Sequence, residues 1–193
     1  MKLWSTRISG RNRFLKSLLL NMSVVILVIW GVGIWHSRNL LPTGSDDRAP
    51  DFELNGIDGR SYGLHRSEGT VFLYFFAPWC SVCKISISNL NDLPSETDQK
   101  QVHVYAVALD WKSIAEVEHF ISKQDLEVPV LMGTRDTAKD FRIQAFPTYY
   151  VLDDTKRVMH RNVGYSTSLG IRWNFAKARA GGFGFQFLQF LFE

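Results

Sequence analysis

Seven consecutive residues, Thr70-Val71-Phe72-Leu73-Tyr74-Phe75-Phe76, carry no charge and are all β-branched, aliphatic or aromatic. A strand with one wet face alternates apolar and polar positions. A run without alternation has to be covered on both sides, which is the pattern of a strand inside a parallel or mixed sheet with helices on its faces. The surrounding sequence supplies the rest of such a sheet. Val102 to Leu109 reads as a second buried strand, and Val128-Pro129-Val130-Leu131 as a short one held near an edge by its proline. Pro147 to Leu152 and Arg157 to His160 form two more strands around an Asp153-Asp154 turn. Ahead of the run, Asp51–Leu54 and Arg60–Leu64 flank Asn55-Gly56-Ile57-Asp58-Gly59, a hairpin signal.

Helices are expected between these strands. Cys80 to Leu93 has helical spacing, with Cys83, Ile87, Leu90 and Leu93 on one face. Ser113-Ile114-Ala115-Glu116 matches a capping box that opens a helix with Ile114, Val117, Phe120 and Ile121 turned inward. A brief helix follows around Thr137–Phe141. The order β-hairpin, β, α, β, α, β, α, β, β, α specifies an α/β fold, a mixed central sheet flanked by helices.

The N-terminus has a different character. Residues 1–35 hold five cations (Lys2, Arg7, Arg11, Arg13, Lys16) and no acid, so the net +3 of the chain turns slightly negative beyond them. Nucleic-acid binding by the folded part is therefore not expected. Ser17 to Ser37 is uncharged and rich in aliphatics, with Trp30 and Trp35 toward its far end. About 20 such residues at 1.5 Å each cover the roughly 30 Å hydrocarbon core. The basic flank marks the cytoplasmic side. A cleavable signal peptide is disfavoured because Gly33-Ile34-Trp35-His36-Ser37 is a poor small-x-small site. The expected organisation is a cytoplasmic basic segment at 1–16, a transmembrane anchor at 17–37, a polar linker at 38–50 and a globular domain at 51–170 outside the cytoplasm. Residues 171–193 form a tail without a clear structural reading. Six of the 14 phenylalanines fall between Phe175 and Phe192.

The chemistry resides in the only two cysteines, Cys80 and Cys83. The strand ends at Phe76, and Ala77-Pro78-Trp79 delivers Cys80 to the start of a helix. Amide N–H groups and the helix dipole there favour a thiolate, and Lys84 adds a nearby positive charge. Cys83 lies within the same turn, close enough to close a small disulfide ring. In this arrangement Cys80 attacks a disulfide and Cys83 resolves the mixed disulfide. Zinc is not supported, since no second cysteine pair exists and His36, His65, His103, His119 and His160 lack ligand spacing. A Cu(I) carrier using the same two soft thiolates is the alternative. Peroxide reduction would need a hydroxyl residue three positions before Cys80, where Ala77 stands.

Phe75-Phe76-Ala77-Pro78-Trp79-Cys80-Ser81-Val82-Cys83-Lys84 resembles the active-site segment of the thioredoxin superfamily, and Phe146-Pro147-Thr148 resembles that fold's cis-proline loop. The additional strand and helix around Asp110–Leu131, together with the anchor, resemble the TlpA/ResA branch, including the suppressor-of-copper-sensitivity type. The resemblance covers about residues 50–170. It implies a thioredoxin-like fold and a thiol–disulfide oxidoreductase at the bacterial inner membrane, with its domain in the periplasm and no dissociable cofactor. Cys80 and Cys83 would be catalytic. Trp79, Phe146 and Pro147, the last with a cis bond, would face the substrate. The partners would be exported proteins carrying disulfides or thiols, and an electron-donating membrane thiol transporter. Ser81 and Val82 place no charge between the cysteines, which favours an intermediate-to-reducing couple. Three positions depart from the family pattern. Tyr74 stands where many thioredoxins bury an aspartate, and Ser86 where many TlpA/ResA-like proteins carry a glutamate. Ser88 replaces the usual helix-kinking proline.

Overall fold

Strand β3 (Thr70–Phe76) is buried at all seven positions and lies at the centre of the sheet, as its unbroken apolar run requires. The computed structural model describes residues 20–28, 31, 40–44, 47–93, 96–97 and 100–176. The chain divides into a unit at 1–39 and a second at 40–193. In the first, residues 20–28 are helical (α1). Among the described residues no helix is long and apolar enough to cross a membrane. The basic segment 1–16, most of the anchor expected at 17–37 and the tail beyond residue 176 lie outside the described residues.

In the second unit, β1 (Glu53–Asn55) and β2 (Ser61–Gly63) form the expected antiparallel hairpin. The main sheet runs β4 (Glu96–Thr97), β5 (Lys100–Ala108), β3, β7 (Thr148–Leu152), β8 (Val158–Val163), with β6 (Val130–Met132) also paired to β5. β3 is parallel to β5 and antiparallel to β7, so the sheet is mixed. The helices are α2 (Ser81–Ser86), α3 (Ile114–Gln124), α4 (Arg135–Asp140) and α5 (168–176).

Alternation along β3 divides the core into two layers. Phe72, Tyr74 and Phe76 join Cys80, Cys83, Ile87, Val117, Phe120, Ile171 and Phe175 on one face. Val71, Leu73 and Phe75 join Leu54, Phe141, Tyr150 and Leu152 on the other. Stacked rings at 4.9–5.0 Å, Phe76 on Phe120 and Phe72 on Tyr149, tie the first layer together.

Five expectations differ from what is observed. The helix expected from Cys80 to Leu93 is α only to Ser86 and continues as a 3-10 helix, Ile87–Asp92. Its inward residues Cys83, Ile87 and Leu90 are nevertheless all buried. Ile114 is exposed rather than inward, because it occupies the first helical position, where the chain is still entering α3. The capping box there is one-sided: Ser113 Oγ accepts from Glu116 N–H, but the Glu116 carboxylate accepts from Lys112 N–H. The segment read as a polar linker also contains Leu40, Leu41 and Ala49, all buried in the second layer. Arg161 Nη1 donates to the Leu40 and Leu41 carbonyls, and Leu41 N–H donates to the Tyr150 hydroxyl at 3.3 Å. At the other end the domain boundary drawn at 170 falls inside α5, whose Ile171 and Phe175 are core residues.

Candidate active site

The loop from Phe76 to Cys80 turns the end of a buried strand into the start of a helix. Cys80 is the N-cap of α2, with extended backbone (φ −72°, ψ 114°), and its Sγ accepts the Cys83 N–H at 3.1 Å. A sulfur here does the work of a capping oxygen, satisfying one of the amides that a helix start leaves open. Lys84 N–H bonds the Cys80 carbonyl at 3.2 Å and closes the first turn.

The two thiols are unequal. Cys80 is 6% exposed and Cys83 0%, on the face that joins the core beneath β3. Burial pushes the Cys83 thiol up from its ordinary value, and a hydrogen bond to Cys80 raises it further. Cys83 is therefore held as a neutral thiol against its neighbour. The linkage has a definite sign. Above pH 9.0, the ordinary thiol value, the unfolded chain gives up a proton that the folded chain keeps, so folding stability falls as pH rises. Tyr74 and Tyr150 are also raised by burial, Tyr150 to about 12, and act in the same direction at still higher pH. The thermal midpoint of the reduced protein should decline on passing from about pH 8 to 10, and decline less steeply in Cys83→Ala. Parallel curves for the two proteins, recorded by circular dichroism, would remove Cys83 as the cause.

Beside the thiols, two of the other residues assigned to the site from sequence, Trp79 and Phe146, meet, and Pro147 follows Phe146 in the same loop. The Phe146–Pro147 bond is cis. Phe146 meets Trp79 edge-on, with centroids 5.8 Å apart and planes at 83°. Trp79, next to Cys80 in the chain, is a large aromatic that is 54% exposed. Asp110 is a further member of this surface. Trp79 Nε1–H donates to Asp110 Oδ2 at 3.0 Å and is 3.2 Å from its carbonyl oxygen. Asp110 follows β5 in the left-handed region, φ +49°. A short polar side chain tolerates that conformation better than most. Trp79 is thus gripped at its polar end by Asp110 and braced on its ring by Phe146.

Beneath the pair, Tyr74 and Ser86 touch. The Ser86 hydroxyl donates to the Val82 carbonyl at 2.8 Å, leaving its oxygen to accept from the Tyr74 hydroxyl at 2.7 Å. Both side chains are buried. Among the described residues no group of three or more His, Cys, Asp or Glu is placed to hold a metal ion.

The AhpC/TSA family matches residues 45–161. The thiol-disulfide oxidoreductase ResA of Oceanobacillus iheyensis is 32% identical over 150 residues, 74% of this chain and 77% of that protein. The thioredoxin-like protein YneN of Bacillus subtilis is 27% identical over 143 residues, covering 72% and 82%. Among solved structures, StoA of Bacillus subtilis superposes with a TM-score of 0.55 at 20% identity, over 65% of this chain and 96% of that one, a likeness of fold.

Proposed function

The chain belongs to the AhpC/TSA family and is a thioredoxin-like protein-disulfide oxidoreductase of the TlpA/ResA kind; on that premise we propose that Cys80 and Cys83 exchange disulfides with exported proteins, mainly in the reducing direction. The observation that carries the assignment of roles is the asymmetry of the two thiols. Cys80 caps the helix and accepts an amide N–H, whereas Cys83 is sealed in the core and kept protonated.

The reaction balances as follows. Cys80 sulfur attacks one sulfur of a substrate disulfide, forming a mixed disulfide and releasing the first substrate sulfur, which takes up the Cys80 proton. Cys83 sulfur then attacks Cys80, the Cys80–substrate bond breaks, and the second substrate sulfur leaves with the Cys83 proton. The substrate gains two electrons and two protons, and the protein ends with a Cys80–Cys83 disulfide. Trp79 and the Phe146–Pro147 loop present the surface on which the substrate chain lies. An electron-donating membrane thiol transporter restores the dithiol. The globular unit works in the periplasm of a bacterium, held at the inner membrane by the uncharged segment 17–37 behind its five cations.

Direction follows from which state the protein stabilises. Groups that favour the Cys80 thiolate favour the reduced protein and make it more oxidising. Nothing charged stands between the cysteines, where Ser81 and Val82 are found, and the groups beneath them are the neutral hydroxyls of Tyr74 and Ser86. The couple should therefore lie toward the thioredoxin end of a range from roughly −270 to −120 mV. Equilibration of the purified protein with glutathione mixtures, followed by free-thiol titration, should show two thiols lost and regained together near that reducing end. A couple near −120 mV would reverse the direction, and thiols that never pair would remove the activity.

A further inference from the structure

Ser86 has two properties that do not ordinarily go together. It is completely buried among Cys83, Ile87 and Leu90 on the inward face of the helix, and it is the residue at which α2 stops being α-helical. Its backbone (φ −122°, ψ −18°) leaves the helical region, and the chain continues as a 3-10 helix from Ile87. A serine hydroxyl that bonds the carbonyl four residues back bends a helix, and Ser86 bonds Val82 in this way. Val82 is one of the two residues between the cysteines. The bend is secured from outside the helix. Tyr74, in the middle of β3, donates its hydroxyl to Ser86. Tyr74 is held neutral by burial, with both cysteines close enough to raise it further. A continuous chain therefore runs from the central strand through two hydroxyls to the peptide that separates the thiols.

We propose that Tyr74 and Ser86 are positioning residues for the exchange reaction: the hydroxyl pair fixes the bend of α2 at Ser86 and thereby the Cys80–Val82–Cys83 turn in which the disulfide closes. The inference rests on the assignment of Cys80 and Cys83 as the exchanging pair. Neither hydroxyl takes the Cys83 proton, because a neutral hydroxyl is too weak a base to do so, and both are buried away from water. Their contribution is geometric. The intramolecular disulfide forms more readily the less the turn must move, so loss of the pair should change the equilibrium between dithiol and disulfide.

The test uses the full chain with Tyr74→Phe, Ser86→Ala, Ser86→Thr and the Tyr74→Phe/Ser86→Ala double variant, each equilibrated with glutathione and its thiols titrated. Tyr74→Phe and Ser86→Ala should each shift the equilibrium constant by about fivefold, with the double variant close to either single one, as expected for coupled neighbours. Ser86→Thr, which keeps the hydroxyl, should restore most of the parent value. The rate of Cys80 alkylation by iodoacetamide, followed against pH, should move with the equilibrium constant. Tyr74→Phe removes one oxygen atom and retains the ring, so it reports even where Ser86→Ala folds poorly. Equilibrium constants and alkylation profiles unchanged from the parent, with only a lowered melting temperature, would reduce the pair to core packing and overturn the proposal. Failure of the parent itself to form a reversible disulfide would instead overturn the assigned activity.

Discussion

Cys80→Ser should abolish disulfide exchange, lowering the rate by roughly 10³-fold or more, the scale on which enzymes lose activity with their nucleophile. A serine hydroxyl still fits the N-cap and can accept the Cys83 N–H that Cys80 Sγ now accepts at 3.1 Å, so the loss should come without loss of fold. Cys83→Ser should behave differently. The first attack by Cys80 remains, but nothing follows to resolve the product, and the mixed disulfide accumulates. Incubation of each variant with a disulfide-bearing protein, read on non-reducing gels and by mass spectrometry, separates the two. Cys83→Ser should show a covalent adduct that dithiothreitol removes, and Cys80→Ser little or none. Equal trapping by both would contradict the asymmetry on which the roles depend.

The second large effect concerns stability and lies on the far side of the sheet. Phe141 follows α4, is buried, and meets Phe75 at 5.1 Å and Phe52 and Tyr150 at 6.1 Å. Its carbonyl accepts the Tyr150 hydroxyl at 2.8 Å. Phe141→Ala leaves a cavity among three rings and should cost about 3–5 kcal/mol. That is a large part of the roughly 5–15 kcal/mol available to a domain. Urea denaturation should show the midpoint falling with little change in slope, and Phe141→Leu should recover much of the loss. Both cysteines belong to the opposite layer, so exchange per folded molecule should stay at the parent level. A variant that was equally stable but slow would show that the layers are coupled.

The parts of this molecule that follow from strong local constraints were legible in its sequence. An unbroken apolar run has one place to go, and β3 is there with all seven residues buried. A cysteine after Ala-Pro-Trp at the head of an amphipathic segment indicated the helix start, and Phe146-Pro147-Thr148 the loop beside it. What escaped depends on pairs far apart in the chain. Helical periodicity placed Ser86 in a helix but did not show that Tyr74, twelve residues earlier, would hold a bend there. Asp110 looks like any strand-end carboxylate until Trp79 Nε1 is found against it, 31 residues away. Leu40 and Leu41 fall in with the polar residues that follow them, because composition averages over a segment and two buried leucines vanish in the mean. The exposure of Ile114 has the same root: amphipathic spacing describes a whole helix, whereas the first turn faces wherever the incoming chain puts it.

The docking of Leu40 and Leu41 also determines when the domain can finish folding. Their partners Tyr150 and Arg161 lie 109 and 121 residues downstream. At synthesis rates of about 5–20 residues per second, that separation amounts to roughly 6–24 s between the appearance of one side of the contact and the other. During that interval the apolar start of the domain, and then the far face of β3, have no strand β7 or β8 to cover them. The last strands made are those that close the first residues in, so the nascent chain spends most of its synthesis time with uncovered apolar surface. Contacts of such long sequence separation also place this fold among the slower-folding topologies of its size.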